Sequence, residues 1–551
     1  MKKIFVLMAL VLFVAGPFRA QKSGNHNFEI NRNLEVFSDI YKKLDMLYVD
    51  TLDADTVIGW AIKSMLRQVD PYTVYYSEDN MEELKTMTTG KYAGIGALVR
   101  YIKKEDRVAI SEPYENTPAQ RAGVRAGDVI QTIDGKDVKG LPVDKVSELL
   151  RGEPGSTFEL VVKRYGYQEP LVFQIKRENI QMPSIPYYNM LDQHIGYIAL
   201  NSFTENISQE VRRALVDLKE RGAQSLILDL RGNGGGSLRD AVNIVNLFVP
   251  KGKLVISTKG KLKSANEDYY TQSEPVDPDI PMAVLVDGWS ASASEIVSGS
   301  LQDLDRAVII GMRTYGKGFV QGVRELPYHG GLKVTTSRYY IPSGRCIQAY
   351  DYRHLNPDGS VGTVPDSLTR VFKTAAGREV RDGGGIKPDI VMKPDSLPTV
   401  VRELALNDVL PAYVNEYVFR HKQIVAADSF DISDEDYAAF VQKVKESGFT
   451  YNRRSDEVLN LLKETARMEG YYNAAKAEFD ALEAKFTQDL ETDLMRNKDK
   501  IKPFLNDEIV RRYYFQKGGI MLQLRDDPDV KEAKRILTDR NAYEKILQPV
   551  K

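Results

Sequence analysis

Three serines at alternate positions mark residues 287–304, DGWSASASEIVSGSLQDL: Ser290, Ser292 and Ser294. They stand between an apolar run, MAVLVD, and a segment with the pattern of a helix. A serine at the start of a helix lies on a sharp turn, where neighbouring N–H groups can stabilise a developing oxyanion. Ser292 and Glu295 also match the capping-box pattern, so from this stretch alone helix capping is favoured and nucleophilic chemistry stays open.

A nucleophilic serine needs a base. None of the histidines stands in a triad-like motif: His26, His194, His329, His354 and His421. A lysine held neutral could take that place, since an apolar pocket can lower a lysine pKa by up to about 3–5 units. Lys317 in RTYGKGFVQ follows the apolar run RAVIIG, and Gly316 and Gly318 beside it allow close backbone approach. Lys317 is therefore a candidate base, with a surface lysine as the alternative.

A glycine-rich loop follows another apolar run in LDLRGNGGGSLRDAVNIV. Residues 231–237 include four glycines and precede a helical pattern. Such a loop exposes backbone N–H groups and can bind an anion or an oxyanion. The spacing of a phosphate-binding loop is absent, because no lysine follows the glycines. A tight strand-to-helix turn is the alternative interpretation.

The order of these motifs resembles that of a known family. DLRGNGGG, SASASEIVSGSLQD, TYGKGFVQ, GGLKVTTSRYYIPSGRCIQ and GGGIKPDI follow one another within residues 92–390. Together they resemble the carboxyl-terminal processing proteases, also called tail-specific proteases, which are serine peptidases with a Ser–Lys dyad. The resemblance implies an α/β protease core like the ClpP/crotonase sheet-and-helix fold, with a PDZ domain and helical N- and C-terminal regions. It implies no metal and no cofactor.

The resemblance also assigns roles to individual residues. It implies that Ser292 is the nucleophile and Lys317 the general base. The oxyanion would be held by the N–H of Ala293 and by one glycine N–H of the loop, either Gly235 or Gly236. The sequence does not decide between these two glycines.

Three further residues match positions of the family. Gln321 matches a position that supports the lysine in some members, and on a strand it would share a face with Lys317, four residues earlier. Asp303 matches an acidic position implicated in other members, with a carboxylate on a helix surface as the alternative. Cys346 stands where the family commonly has a small polar residue, which predicts a buried, inert thiol.

A second resemblance lies upstream. YAGIGALV resembles the carboxylate-binding loop of PDZ domains, with Gly94, Ile95, Gly96 and Ala97 at its centre. A PDZ groove takes an extended peptide by strand addition and holds its terminal carboxylate on backbone N–H groups. The helix PVDKVSELLRG would form one wall of the groove. Arg151 at its end matches a residue that senses substrate and helps to align the active site, with a cation at the helix C-terminus as the alternative.

The elements that position these residues follow from the apolar pattern. IGYIALNSF, SLILDL, MAVLVD and RAVIIG are typical of buried strands and alternate with helical segments, which predicts a largely parallel sheet. Helical patterns flank this part of the chain on both sides. The predicted division is a signal peptide at 1–20, an N-terminal helical region at 21–90, a PDZ domain at 91–180, a protease core at 181–395 and a C-terminal helical region at 396–551.

Composition narrows the class of protein. A chain of 551 residues is expected to hold more than one domain. A formal net charge of −2 argues against bulk nucleic-acid binding. MKKIFVLMALVLFVAGPFRAQ has the layout of a secretory signal peptide, with an uncleaved anchor as the alternative. The single cysteine excludes an internal disulfide and a cysteine-based zinc site.

The sequence therefore predicts a bacterial serine endopeptidase, secreted across the inner membrane into the periplasm, that recognises the C-terminal tails of proteins. Its expected partners are protein or peptide substrates with exposed C-termini, an adaptor protein, and further copies of the chain in a homodimer or higher oligomer, but no nucleic acid. One alternative is a PDZ-bearing scaffold or binding protein with an inactive protease-like core, against which the intact Ser292, Lys317 and Gln321 argue. Another is a chymotrypsin-like protease with a PDZ domain, which the alternation of strands and helices disfavours.

Overall fold

The computed structural model describes residues 23–356, 358, 360–394, 396–486 and 489–549. The predicted signal peptide, residues 1–20, lies outside the described residues. The chain divides into two compact units, with the boundary between Tyr75 and Tyr76. Within the described ranges, no helix is long and apolar enough to cross a membrane.

The described part of the first unit is mainly helical. It contains α1 (Ser23–Leu47) and α2 (Ala54–Arg67), and the short strand β1 (Val74–Tyr76) crosses its boundary. The Asp53 side chain caps α2 by accepting a hydrogen bond from the N–H of Thr56. Apolar residues lie along α1 at helical spacing, and their side chains are largely exposed. Leu34, for example, is 60% exposed.

The second unit begins with a 3-10 turn (Glu78–Asn80) and α3 (Met81–Thr89), which lead into a small antiparallel β domain. Its elements are β2 (Lys91–Gly94), β3 (Ala97–Ile102), β4 (Arg107–Pro113), α4 (Pro118–Ala122), β5 (Val129–Ile133), β6 (Lys136–Asp137), α5 (Val143–Leu150), β7 (Thr157–Lys163), β8 (Leu171–Lys176) and β9 (Glu178–Gln181). The strands are ordered β3-β4-β5-β7-β8, with β6 beside β5, while β2 pairs with β9. Proline at the first position of α4 and Gly123 at φ 92° after its end match the usual start and stop of a helix.

The next part of the chain alternates strands with helices. It contains β10 (Tyr187–Met190), β11 (Ile195–Ala199), α6 (Ile207–Glu220), β12 (Ser225–Asp229), α7 (Leu238–Asn246), β13 (Leu254–Gly260), a 3-10 turn (Lys263–Ala265), β14 (Glu267–Tyr270), β15 (Met282–Val286), α8 (Ala293–Asp303) and β16 (Val308–Gly311). It continues with β17 (Phe319–Glu325), β18 (Gly331–Tyr340), β19 (Tyr350–Leu355), β20 (Val361–Thr363), a 3-10 turn (Asp366–Leu368), β21 (Val371–Lys373), β22 (Glu379–Arg381) and β23 (Ile390–Val391).

Six of these strands form the central sheet, in the order β10-β11-β12-β15-β16-β23. Every pair is parallel except β10 with β11, which confirms the predicted, largely parallel sheet. All residues of β11, β12, β15 and β16 are buried, as expected for apolar strands covered on both faces. The carboxyl ends of parallel strands meet at one edge, where ligands usually bind in such sheets. The glycine-rich loop and Ser292 follow the ends of β12 and β15 at that edge, and Lys317 follows β16.

The rest of the second unit is helical. It contains α9 (Thr399–Ala405), α10 (Val409–Arg420), a 3-10 turn (Ala427–Ser429), α11 (Asp434–Glu446), α12 (Arg454–Met468), α13 (Lys476–Phe486), α14 (Leu490–Arg496), α15 (Lys498–Asp526), α16 (Pro528–Thr538) and α17 (Arg540–Ile546). In α15 two helical segments join at Phe515, whose φ of 54° is not helical.

The two faces of the central sheet are covered by different parts of the chain. One face packs against α6, α7 and α8, which follow the strands in sequence. The other packs against α16 and α17, through Val530, Ile536 and Tyr543 on Ile227 and Leu285. The helical region near the C-terminus therefore completes the core that carries the candidate site.

Candidate active site

Only one of the three serines reaches the surface. Ser290 and Ser294 are fully buried, whereas Ser292 between them is half-buried. The Ser290 hydroxyl donates to the carbonyl oxygen of Leu230 (2.8 Å), and the Ser294 hydroxyl donates to that of Asn233 (2.8 Å). The two outer hydroxyls thus tie the turn before α8 and its first residues to the segment of the glycine-rich loop.

Ser292 has a strained backbone. Its φ of 56° and ψ of −112° lie where a residue with a side chain is rarely found. It directly precedes α8, and the preceding β15 ends at Val286. A serine on a sharp strand-to-helix turn is the arrangement that presents a hydroxyl to a substrate.

A buried carboxylate joins Ser292 to the segment of Lys317. Glu295 is fully buried, and its Oε2 accepts the backbone N–H of Ser292 (2.8 Å) and of Lys317 (2.9 Å). Its Oε1 accepts the N–H of Gly316 (2.7 Å) and the hydroxyl of Thr314 (2.6 Å). Burial raises the pKa of Glu295 from 4.5 to about 7, although these four hydrogen bonds lower it.

The sequence predicts only the capping role of Glu295, not its bonds to the segment of Lys317. The hydrogen bond from the Ser292 N–H to Glu295 is one half of the expected capping box. The bonds to Gly316 and Lys317 reach across the sheet edge, and no local pattern signals them. Glu295 therefore holds the backbones of both predicted dyad residues at once.

Lys317 lies in the loop between β16 and β17, with its side chain half-buried. A Cβ added to Gly316 would lie 2.3 Å from that of Ala349, and one added to Gly318 would lie 2.9 Å from the Gln348 nitrogen. Gly316 also has a φ of 86°. The close backbone approach predicted from the flanking glycines is confirmed, and it leaves no room for a side chain at either position.

Gln321 lies close in sequence, but the predicted geometry is wrong. The strand β17 begins at Phe319, so Lys317 and Gln321 do not share one strand. The pairing of β17 with β18 also shifts between Val320 and Gln321. The Gln321 amide nitrogen donates to the Thr335 hydroxyl (3.2 Å) on β18.

Asp303 lies at the opposite end of α8 from Ser292. The helix has 11 residues, so at 1.5 Å per residue about 16 Å separate the two along its axis. Asp303 is buried, and the alternative of a surface carboxylate is wrong. Its Oδ1 accepts from the Arg345 guanidinium (2.8 Å) and its Oδ2 from the Ser343 N–H (3.0 Å). The structure does not bring Asp303 together with the other predicted site residues.

The glycine-rich loop packs against the serine. A Cβ on Gly235 would lie 2.8 Å from the Cβ of Ser292 and 2.9 Å from the nitrogen of Ala293, which is fully buried. The Gly235 N–H donates to the Asn233 side-chain oxygen (2.9 Å). The N–H groups of Gly236 and Ala293 have no hydrogen-bond partner within the described ranges. Of the two candidate glycines, Gly236 therefore has the uncommitted donor.

Three of the five predicted PDZ residues, Ile95, Ala97 and Arg151, line a groove between β3 and α5. The residues that line it are Tyr92, Ile95, Ala97, Val99, Ser147, Leu150 and Arg151. Gly94 and Gly96 shape the turn before β3, and Gly96 has a φ of 74°. The Arg151 guanidinium lies 5.3 Å from the centre of the Tyr92 ring, so this arginine faces the groove as well as ending α5.

Other groups contribute little to the site. Burial raises the pKa of the Cys346 thiol, which disfavours the reactive thiolate. In the part of the chain that the structure describes, no group of three or more His, Cys, Asp or Glu residues could hold a metal ion.

Three parts of the chain match the models of known protein families. Residues 194–361 match the model of Peptidase family S41, and residues 110–164 match that of the PDZ domain. Residues 400–537 match the family described as Probable PDZ-protease, C-terminal helical domain. These matches define a serine-type peptidase that carries a PDZ domain.

Individual relatives agree. The Carboxy-terminal-processing protease of Bartonella bacilliformis is 33% identical over 355 residues, which are 62% of this chain and 81% of the relative. The Probable CtpA-like serine protease of Staphylococcus aureus (strain N315) is 34% identical over 364 residues, which are 65% of this chain and 71% of the relative. A solved structure of a photosystem II D1 C-terminal processing protease is 27% identical, with a TM-score of 0.36, and covers 66% of this chain and 93% of its own. The chain belongs to the carboxy-terminal-processing proteases of peptidase family S41.

Proposed function

We propose that the chain is an endopeptidase in which Ser292 is the nucleophile and Lys317 the general base. The exposure of Ser292 carries this proposal, since the serines on either side of it are fully buried. Its strained backbone at the start of α8 supports the same assignment. Glu295 accepts a hydrogen bond from the backbone N–H of Ser292 and of Lys317, and these bonds fix the positions of the two residues relative to each other.

The reaction is acyl transfer. Lys317 in its neutral form removes the Ser292 hydroxyl proton, and the hydroxyl oxygen attacks the scissile carbonyl carbon. The N–H groups of Gly236 and Ala293 hold the resulting oxyanion. Lys317 then gives its proton to the leaving amine, and water hydrolyses the acyl-enzyme. A supporting role of Gln321 for the lysine stays a prediction, since its amide donates to Thr335.

The PDZ groove selects the substrate. An extended peptide adds to β3, and its terminal carboxylate lies on the N–H groups of the turn at residues 94–97. The apolar lining of Ile95, Val99 and Leu150 favours an apolar last residue. Arg151 contacts Tyr92 at the edge of the groove. A bound peptide would therefore lie against Arg151, which lets this residue respond to an occupied groove.

The test of the dyad uses two variants with matched controls. Ser292→Ala is expected to abolish cleavage of an unfolded protein substrate and labelling by a fluorophosphonate probe. Lys317→Arg is expected to abolish cleavage although it keeps the charge, because arginine is not deprotonated in proteins. The exposed Ser264→Ala and Lys373→Arg serve as controls and are expected to behave as wild type. Full cleavage by either site variant contradicts the dyad.

Further proposals concern organisation and location. The division at residues 20, 90, 180 and 395 stays a prediction, as do the likeness of the core to the ClpP/crotonase fold, a periplasmic location and an adaptor protein. Self-association is supported by the exposed apolar residues of α1, such as Leu34, Phe37 and Ile40. Light scattering of the purified protein measures it, and a monomer at micromolar concentration contradicts it.

A further inference from the structure

Arg231, the first residue of the glycine-rich loop, contacts a distant part of the chain. Its guanidinium Nη2 lies 2.8 Å from Oδ2 of Asp527, and Nη1 lies 3.2 Å from Oδ2 of Asp529. Nη2 also lies 2.6 Å from Oδ2 of Asp229, the last residue of β12. One guanidinium therefore links the central sheet to the junction of α15 and α16.

The contact is largely shielded from water. The side chains of Arg231, Asp527 and Asp529 are 23%, 14% and 16% exposed. Ion pairs at such sites are screened less than surface pairs, and removing one partner leaves the other uncompensated. Asp527 also caps α16, since it accepts the N–H groups of Asp529 (2.9 Å) and Val530 (3.1 Å).

The same loop continues from Arg231 to the oxyanion donors. The Gly232 N–H donates to Asp287 (3.0 Å), and the carbonyl oxygen of Asn233 accepts the Ala291 N–H (3.0 Å). These bonds fix the middle of the loop to the serine turn. The Arg231 side chain anchors the beginning of the loop, and the helical region supplies two of the three carboxylates of that anchor.

We propose that Asp527 and Asp529 are positioning residues for the oxyanion loop and act through Arg231. The proposal rests on the proposed function, because the loop matters only where an oxyanion forms beside Ser292. A displacement of about 1 Å in a catalytic group can cost roughly a hundredfold in rate, and removing one oxyanion donor costs about 10²–10³ in kcat. Loss of the anchor loosens the loop without removing a donor, so the expected loss in kcat is about ten- to a hundredfold.

The test is the double variant Asp527→Asn/Asp529→Asn in the full-length protein. Asparagine caps a helix as well as aspartate does, so α16 keeps its cap while Arg231 loses two charges. We expect kcat to fall about ten- to a hundredfold while KM stays within about twofold. A peptide aldehyde, whose hemiacetal with Ser292 carries the oxyanion, should bind more weakly by a similar factor, and the product peptide should bind unchanged.

The control is Asp526→Asn. It removes the same charge one residue away, from a side chain that is 69% exposed and pairs with Lys531. We expect wild-type kinetics from it. If thermal melting shows that the double variant is poorly folded, Asp529→Asn alone gives the same comparison with the cap residue Asp527 intact.

A coupling experiment separates this role from general stability. If the aspartates act through Arg231, the double variant combined with Arg231→Gln cleaves no more slowly than Arg231→Gln alone. Unchanged or higher kcat in the double variant overturns the proposal, as does an equal loss in Asp526→Asn or additive losses in the combined variant. Cleavage by Ser292→Ala would instead overturn the proposed function, and this proposal with it.

Discussion

Replacing Glu295 with glutamine tests the carboxylate that joins Ser292 to Lys317. The folded-state pKa of Glu295, about 7, lies above its ordinary 4.5. Between these pH values the folded protein binds the proton more readily than the unfolded chain does. The contribution of Glu295 to the free energy of unfolding is therefore complete below about pH 4.5 and is lost as the pH rises through 7. The loss is about 3 kcal/mol, since one pKa unit is worth about 1.4 kcal/mol.

The assay is denaturant unfolding of wild type and Glu295→Gln between pH 4.5 and 8. Glutamine does not titrate, so the difference between the two free energies of unfolding isolates this group. We expect the wild type to lose about 3 kcal/mol relative to the variant across that range. Parallel pH dependences would refute the argument, because they would mean that Glu295 ionises alike in the folded and unfolded states.

Activity is expected to change in the opposite direction. The ionised carboxylate accepts all four of its hydrogen bonds. The protonated carboxyl must donate a hydrogen bond, and among its four partners only the Thr314 hydroxyl can accept one, since the other three are N–H groups. The positions of Ser292 and Lys317 are therefore best fixed above pH 7. In Glu295→Gln the amide oxygen can still hold both backbones, and the unpaired Gly316 N–H costs about 1–3 kcal/mol of stability. Wild-type kcat should rise through pH 7, and this part of the rise should be missing in the variant.

Three further predictions follow from the geometry. Asp303→Asn leaves the buried Arg345 without its counter-ion and should cost roughly 3–5 kcal/mol in denaturant unfolding, yet leave the kcat of the folded fraction within a few-fold of wild type; a normal stability would contradict the buried ion pair. Ser290→Ala should retain activity and lose about 1 kcal/mol of stability, and an inactive but stable variant would contradict its role as a turn residue. Amidating the C-terminus of a model substrate removes one charge-assisted contact worth about 1.5–3 kcal/mol, so cleavage should fall roughly ten- to a hundredfold; equal rates for the acid and amide forms would leave the groove beside Arg151 without the proposed role.

The sheet and the order of the site motifs could be predicted because their signals are local. Strands β11, β12, β15 and β16 are apolar runs; the glycine-rich loop and the serine turn follow such a run directly, and Lys317 follows the last one after a short segment. Strands buried on both faces leave this pattern whatever covers them. The assignment of Ser292 as the nucleophile rests on the family motif SASAS, and the exposure of Ser292 between two buried serines supports that assignment independently.

The remaining contacts join residues that are far apart in sequence. Nothing near Glu295 indicates its bonds to Lys317, and nothing near Arg231 indicates Asp527. Asp303 shows a different difficulty. Its helix, α8, has a polar composition, ASEIVSGSLQD, that suggests a surface position, yet every residue of the helix is buried. Small side chains allow it to pack between the central sheet and β13, where polar groups find partners inside the protein.

The covering of the central sheet by α16 and α17 has a consequence for biosynthesis. A chain made from its N-terminus produces all the central strands long before residues 528–546 exist. Until those residues arrive, the face of the sheet around Ile227 and Leu285 lacks the apolar cover of α16 and α17, and Arg231 lacks its counter-ion Asp529. The nascent protease is therefore expected to stay incompletely folded, and so inactive against its neighbours, until synthesis is nearly complete.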